Sequence, residues 1–300
     1  MSILNVIGII GGVLFLFYIV AMLIIGRYLT YLDLFLPREC PDGSRELRGY
    51  EYEDIEFKSY DNLSLRGWFI KSESNPTGKT VFIIPGWTRN RTRYLSQIKF
   101  FVDSGFHVLT YDQRSHGASD TGVVTFGPKE GLDLLNVIEY AKNLECVNEE
   151  KLVAVGFSLG AISVIYAAEK QVFKAVVLEG VFANSYDMGE AILIDKVGER
   201  FAHLFGYAFF WPGAMIWTLG KFRHSQPVKH IAKVSPTPAL IIRGENDERV
   251  PFSSAKKMLG AVKEPKEIWI HKAGHTTSYN NFPDEYEKRV LSFLNSYLQK

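Results

Sequence analysis

The sequence predicts a mostly parallel, doubly wound α/β sheet with a helical cap insertion and an N-terminal helix long enough to cross a membrane. Three observations carry that prediction. Apolar runs of strand length recur without polar alternation, segments of helical period lie between them, and one gap of about 60 residues breaks the rhythm. The 300 residues, 47% of them hydrophobic, suffice for one large domain with a real core plus additions. A net charge of +1 leaves no electrostatic footprint for nucleic acid. The two cysteines, Cys40 and Cys146, suggest neither a disulfide framework nor a zinc site, and the seven histidines are not paired at metal spacing.

The first element is the apolar run from Ile3 to Gly26, which contains no charged residue. As a helix it would reach roughly 36 Å, enough to span a bilayer core with some tilt. A cleaved signal peptide would call for a basic lead and small residues before a cleavage point, and neither is present. Residues 1–27 are therefore read as a transmembrane anchor and 28–49 as a juxtamembrane segment and linker. Tyr28, Tyr31 and Phe35 suit interfacial anchoring, and Pro37 and Pro41-Asp42-Gly43 end the helix. Arg27, Arg38, Arg45 and Arg48 follow the span and no Lys or Arg precedes it, so the positive-inside rule places the rest of the chain in the cytoplasm.

Residues 50–300 form the α/β domain. Ile55–Lys58 and Leu65–Ile70 read as antiparallel edge strands joined by the turn Tyr60-Asp61-Asn62. Thr80–Ile84, His107–Tyr111, Leu152–Val155, Lys174–Leu178 and Pro238–Ile242 read as strands buried on both faces, and Lys266–Ile270 closes the series. Between them, Leu132, Leu135, Val137, Ile138 and Ala141 would line one face of a helix over 129–143. The long gap, about 183–235, is rich in Phe and Trp and is read as a cap over the sheet. Its aromatic stripe either packs cap against core or grips an acyl chain, and the sequence leaves both open.

Ser158 stands in Gly156-Phe157-Ser158-Leu159-Gly160, between an apolar strand and a helix-like stretch. Glycine two before and two after makes room for a sharp turn that pushes the hydroxyl above the sheet. The following helix would aim its free N–H groups at that point. Downstream come Gly244-Glu245-Asn246-Asp247 and then Ala273-Gly274-His275, each just after a strand, where open α/β sheets hold ligands. Together with Pro85-Gly86-Trp87-Thr88 and Asp112-Gln113-Arg114-Ser115-His116-Gly117, these motifs resemble the α/β-hydrolase superfamily of serine hydrolases. More narrowly, the chain resembles membrane-anchored members with a cap domain. The resemblance covers Glu51 to the C-terminus. It departs at Pro85, where the family usually has a histidine.

That resemblance implies an α/β-hydrolase fold and a triad of Ser158 as nucleophile, His275 as base and Asp247 as acid. The chemistry agrees, because a serine hydroxyl needs an adjacent imidazole to take its proton, and the imidazole needs a carboxylate to fix its tautomer. His116 is the rival base, although its setting suits a loop scaffold; Glu245 and Glu248 rival Asp247. The backbone N–H groups of Leu159 and Trp87 would form the oxyanion hole. Trp87, Phe157, Phe182, Phe209, Trp211 and Trp217 are the candidate substrate-binding residues. Arg89-Asn90-Arg91-Thr92-Arg93 either attracts an anionic headgroup or forms a solvated helix start.

The expected activity is cleavage of a carboxylic ester, including thioester or lipid acyl ester, by an acyl-enzyme route that needs no metal or organic cofactor. The expected partners are an acyl ester substrate and, through the N-terminal helix, a membrane. The oligomeric state is not legible. A peptidase or amidase of the same fold, or a non-catalytic binding protein retaining it, are the alternatives. The orientation can be checked through Cys40, which follows the span. In a Cys146→Ser variant a membrane-impermeant maleimide should leave intact cells unlabelled and react after permeabilisation; labelling of intact cells would reverse the orientation.

Overall fold

The uniformly apolar runs form the centre of an eight-stranded sheet of order β1-β2-β4-β3-β5-β6-β7-β8. The strands are β1 Tyr52–Lys58, β2 Ser64–Ile70, β3 Thr80–Ile84, β4 His107–Tyr111, β5 Leu152–Phe157, β6 Ala175–Glu179, β7 Ala239–Gly244 and β8 Lys266–His271. A computed structural model describes residues 2–34, 42–205, 208–209, 211–217 and 225–299, except the side chains of 26–34, 44, 191–192, 195–197, 205, 214 and 217. Phe35, Pro37 and Cys40, and the side chains of Tyr28, Tyr31 and Trp217, therefore lie outside the described residues.

β3 to β8 pair in parallel, and β1 and β2 join as an antiparallel extension beside β4. β2 is not an edge strand. It lies between β1 and β4 and is buried along almost its whole length, so of these two strands only β1 keeps a wet face. In β3, Phe82 and Ile84 enter the core on one side of the sheet, and Val81 and Ile83 enter the core on the other. Period-2 side chains meeting apolar partners on both faces explain the missing alternation.

The helices are α1 Ile3–Leu34, α2 Gly43–Glu46, α3 Leu95–Asp103, α4 Pro128–Lys142, α5 Leu159–Ala168, α6 Ser185–Val197, α7 Glu199–Phe205, α8 Trp211–Trp217, α9 Pro227–His230, α10 Phe252–Ala261, α11 Ser278–Asn281 and α12 Pro283–Leu298. α4, α5 and α10 pack on one face of the sheet, α3 and α12 on the other. In α4 the buried stripe is Leu134, Val137, Ile138 and Ala141, whereas Leu132 is exposed. Leu132 precedes Leu134 by two positions, about 200° around the helix, and so faces away from the sheet.

α6 to α9 lie between β6 and β7 in the chain. α1 packs against α8, Tyr18 Oη donates to the Ala208 carbonyl at 2.9 Å, and the Tyr18 and Phe209 rings meet at 5.7 Å. Within α1, Ile3–Ile25 is long and apolar enough to cross a membrane by length and composition, a test that a signal sequence also passes. Most of its large apolar side chains are exposed, which a soluble helix would hide.

Parallel strands bring their carboxyl ends to one edge, so the loops after β3, β4, β5, β7 and β8 converge there. The chain order reverses across β4-β3-β5, making the switch point at which open α/β sheets form crevices. The loop after β4 is fixed from beneath by Arg114. Its Nε and Nη2 donate to both oxygens of Asp133 on α4, at 2.7 and 2.6 Å, and Nη2 also reaches Asp61 at 3.0 Å. Burial pushes the Asp133 carboxyl up to about 6 even against this guanidinium. Arg114→Met would leave Asp133 buried without its partner, a loss of about 3–5 kcal/mol. A urea titration should show a strongly lowered midpoint, largely recovered in Arg114→Met/Asp133→Leu.

Candidate active site

Ser158 joins β5 to α5 with φ +52° and ψ −116°, outside the regions that side-chain-bearing residues prefer. Holding a residue there costs about 1–3 kcal/mol, and the surroundings must enforce it. Its N–H donates to the Glu179 carbonyl at 2.8 Å, and its carbonyl accepts from Ile162 N–H at 3.1 Å, closing the first turn of α5. A Cβ on Gly160 would overlap the Ile84 carbonyl oxygen, and one on Gly156 would lie 2.5 Å from the Ala161 Cα. The two glycines let α5 sit directly against β3 and β5, which makes the turn sharp.

His275 lies in the loop between β8 and α11, and its Nδ1 is 2.8 Å from Asp247 Oδ2. Nδ1–H donating to that carboxylate leaves Nε2 as the accepting nitrogen. Asp247 Oδ1 accepts from the N–H groups of Arg249 and Val250, both at 2.9 Å. Burial works to raise the Asp247 carboxyl, but the His275 hydrogen bond and charge, with the two N–H groups, outweigh it and hold the carboxyl below its ordinary value. Glu245 and Glu248, the rivals for the acid, are exposed.

The loop Gly86-Trp87-Thr88 is braced by groups from the loop after β4. Thr88 N–H donates to His116 Nε2 at 3.0 Å, while His116 Nδ1 meets the Arg114 carbonyl at 2.8 Å. His116 is thus a neutral scaffold with its proton on Nδ1. Gln113 Nε2 donates to the Pro85 carbonyl at 2.7 Å, and Ser163 Oγ on α5 donates to Gln113 Oε1 at 2.7 Å. With proline in place of the usual histidine, the loop is held through its backbone. Leu159 opens α5, so its N–H has no acceptor four residues back.

Ser158, His275 and Trp87 line one cavity of about 430 Å³, which Met188 on α6 approaches from the segment between β6 and β7. Phe157, Phe182, Phe209 and Trp211, also expected to bind substrate, do not line it. Phe157 is fully buried on the opposite face of the sheet, stacked on Tyr94 at 3.8 Å. As the last residue of β5 it points away from the face that Ser158 tops. Phe182 is fully buried in the core. Phe209 meets Tyr18, and Trp211 meets Tyr186 at 4.6 Å, so both serve packing within the cap and against α1.

Glu179, which sequence reasoning missed, closes β6 and is 1% exposed. Its Oε1 accepts from Ser278 N–H at 3.1 Å and Ser278 Oγ at 2.6 Å, three residues beyond His275. The signal was present: a carboxylate ending an otherwise apolar parallel strand.

A profile of the prolyl oligopeptidase family matches residues 93–300. The uncharacterized protein YfhR of Escherichia coli (strain K12) is 25% identical over 262 residues, covering 82% of this chain and 81% of that protein. The uncharacterized protein YqkD of Bacillus subtilis (strain 168) is 25% identical over 304 residues, covering 93% and 94%. Among solved structures, the Pyrococcus furiosus esterase Pf2001 superposes with a TM-score of 0.71 at 24% identity, covering 88% of this chain and 99% of that one. At that identity the likeness establishes the fold.

Burial, partly countered by Ser278, raises the Glu179 carboxyl above its ordinary 4.5. The folded state therefore holds this proton more tightly than the unfolded state. Its contribution to stability is full below 4.5 and is lost as pH rises through the raised value. Glu179→Gln keeps an acceptor for Ser278 and removes the titration. The melting temperature of the variant relative to the parent should therefore climb as pH rises from 4.5 through the raised value. A pH-independent difference in scanning fluorimetry would contradict this.

Proposed function

From a chain that belongs to the prolyl oligopeptidase family and has the α/β-hydrolase fold, we propose a serine hydrolase that cleaves carboxylic esters, thioesters included, through an acyl-enzyme. The observation that carries the reading is the hydrogen-bonded Asp247–His275 pair sharing one cavity with Ser158.

In this mechanism Ser158 Oγ attacks the acyl carbon while His275 Nε2 takes its proton. Asp247 keeps the imidazole in the required tautomer and stabilises the imidazolium. The carbonyl oxygen becomes an oxyanion that accepts from the N–H groups of Leu159 and Trp87, each donor contributing about 3–4 kcal/mol of transition-state stabilisation. Collapse breaks the ester bond, and the imidazolium returns its proton to the departing alcohol or thiol. Water, deprotonated by the same nitrogen, then attacks the acyl-enzyme; the bond from the acyl carbon to Ser158 Oγ breaks, the imidazolium returns its proton to Oγ, and the acid leaves.

Residues 1–27 are read as a single-pass anchor, with the hydrolase domain cytoplasmic. Exposed Phe201, Leu204 and Ile216 in the cap, beside a helix of this apolarity, support substrates that carry a long acyl chain. A second reading, a peptidase or amidase, is favoured by the family's own description. The same triad serves both, since amide cleavage differs in protonating an amine leaving group and in pocket shape.

A serine-directed fluorophosphonate should label the wild type and neither Ser158→Ala nor heat-denatured protein. Equal labelling of Ser158→Ala would remove the assigned nucleophile. Turnover of a p-nitrophenyl ester series should exceed that of aminoacyl p-nitroanilides and rise with acyl length. Preference for the anilides would favour the peptidase reading, and preference for short esters would remove the lipid-like substrate.

A further inference from the structure

Arg89, Arg93 and Arg249 line the cavity that contains Ser158 and His275. They come from two separate loops. Arg89 and Arg93 follow the Gly86-Trp87-Thr88 turn after β3, whereas Arg249 lies two residues beyond Asp247 after β7. Both loops that supply groups to the reaction thus also supply guanidiniums.

Four arginines elsewhere in the fold are matched to acids, whereas Arg243, among the described residues, meets only the Val250 carbonyl and the Phe252 ring. Arg66 pairs with Glu56 at 3.0 Å, Arg91 with Asp112 at 2.7 Å, Arg114 with Asp133 at 2.6 Å and Arg289 with Glu285 at 2.8 Å. Among the described residues, none of the three cavity arginines has an acidic partner within ion-pairing distance. Among the described residues of the cavity wall, Glu248 is the one carboxylate, against three guanidiniums. Within the run from Arg89 to Arg93, Arg91 turns inward onto Asp112 and the Trp68 ring, whereas Arg89 and Arg93, two residues to either side, line the cavity. Partial burial, then the positive charges of Arg93 and Arg249, lower the basicity of Arg89, so the three cations share one field.

Resting on the acyl-transfer reading above, we infer that the ester substrate carries an anionic group, a phosphate or a carboxylate, held by Arg89, Arg93 and Arg249 while its acyl carbon sits at Ser158. Guanidinium forks match the oxygen pairs of these anions and bind them by charge-assisted hydrogen bonds. The anion offsets a mutual repulsion that Glu248 alone, among the described lining residues, counters with negative charge. Being remote from the bond that breaks, its binding energy goes into positioning the acyl carbon. A basic cavity also draws anionic substrates from solution, an effect that salt weakens.

The test uses the full chain in non-ionic detergent and two matched pairs of esters. Mono-p-nitrophenyl glutarate against p-nitrophenyl valerate places a carboxylate on the acyl side. A 1-decanoylglycerol 3-phosphate against 1-decanoylglycerol places a phosphate on the alcohol side. The readout is the ratio of kcat/KM for the anionic over the neutral member. At least one pair should give a ratio of about ten or more, and the responding pair identifies the anion. Arg89→Gln/Arg93→Gln and Arg249→Gln should each lower that ratio by about tenfold, with partial rescue by lysine; a merely misfolded variant would lose both activities and keep the ratio. Neutral esters preferred in both pairs, or a ratio unmoved by the substitutions, overturns the proposal. If no ester is turned over, calorimetry of octyl phosphate and octanol on Ser158→Ala separates the two readings. Arginine-dependent binding of the phosphate then keeps the anion site and removes the acyl-transfer reading, and its absence removes the anion site.

Discussion

The backbone of Ser158 is the constraint around which the carboxyl edge of the sheet is arranged. A φ of +52° is unfavourable for serine, and the residue adopts it because the elements on both sides cannot move. β5 is buried along its whole length, and nearly every residue of α5 is buried, so strand and helix are each fixed by packing. The turn between them has no slack. Gly160 lets the start of α5 rest against the carbonyl of Ile84, the last residue of β3, and that contact draws the Gly86–Thr88 loop alongside the serine. Strain at one residue and proximity of the Gly86–Thr88 loop are therefore consequences of one close approach.

Loops at strand ends lose the ladder hydrogen bonds that hold the strands, and here buried polar side chains replace them. Asp112 receives Arg91 and the Ala118 N–H, Arg114 grips Asp133, and Glu179 grips Ser278. Glu179 acts on both halves of the site, its carbonyl on Ser158 N–H and its carboxyl on the loop that carries His275. These pairs are costly to bury and their net stabilisation is small, but each fixes one loop in one geometry. The ordinary core supplies stability, and the buried polar pairs supply position.

How much of this was legible follows from the range of the interactions concerned. The strands β3, β4, β5, β6 and β7 could be read because burial on both faces writes itself into consecutive residues. Ser158, Asp247 and His275 could be read because each belongs to a short motif at a strand end. β2 was misplaced at an edge because its neighbour β4 lies some 40 residues on in the sequence, a pairing that no local pattern encodes. Phe157 and Phe182 were misread because adjacency to a motif says nothing about which face a side chain takes. Glu179 was overlooked since its partner Ser278 is 99 residues away. The Arg89 to Arg93 cluster was visible, but its division into one inward and two cavity-facing arginines needed the fold, as did the arrival of Arg249.

The site and its surroundings differ sharply in polarity, and that difference narrows what fits. Along α1 and the cap, large apolar side chains such as Phe15, Phe201 and Leu204 lie open, a surface that water disfavours. At the cavity, three guanidiniums face one carboxylate. A wholly apolar ester would leave that charge unmatched, and a small hydrophilic anion would make no use of the apolar approach. A substrate with a hydrocarbon part and an anionic part separated by the scissile ester answers both. Each part contributes binding away from the carbonyl, the arrangement in which remote binding energy can be converted into orientation at Ser158.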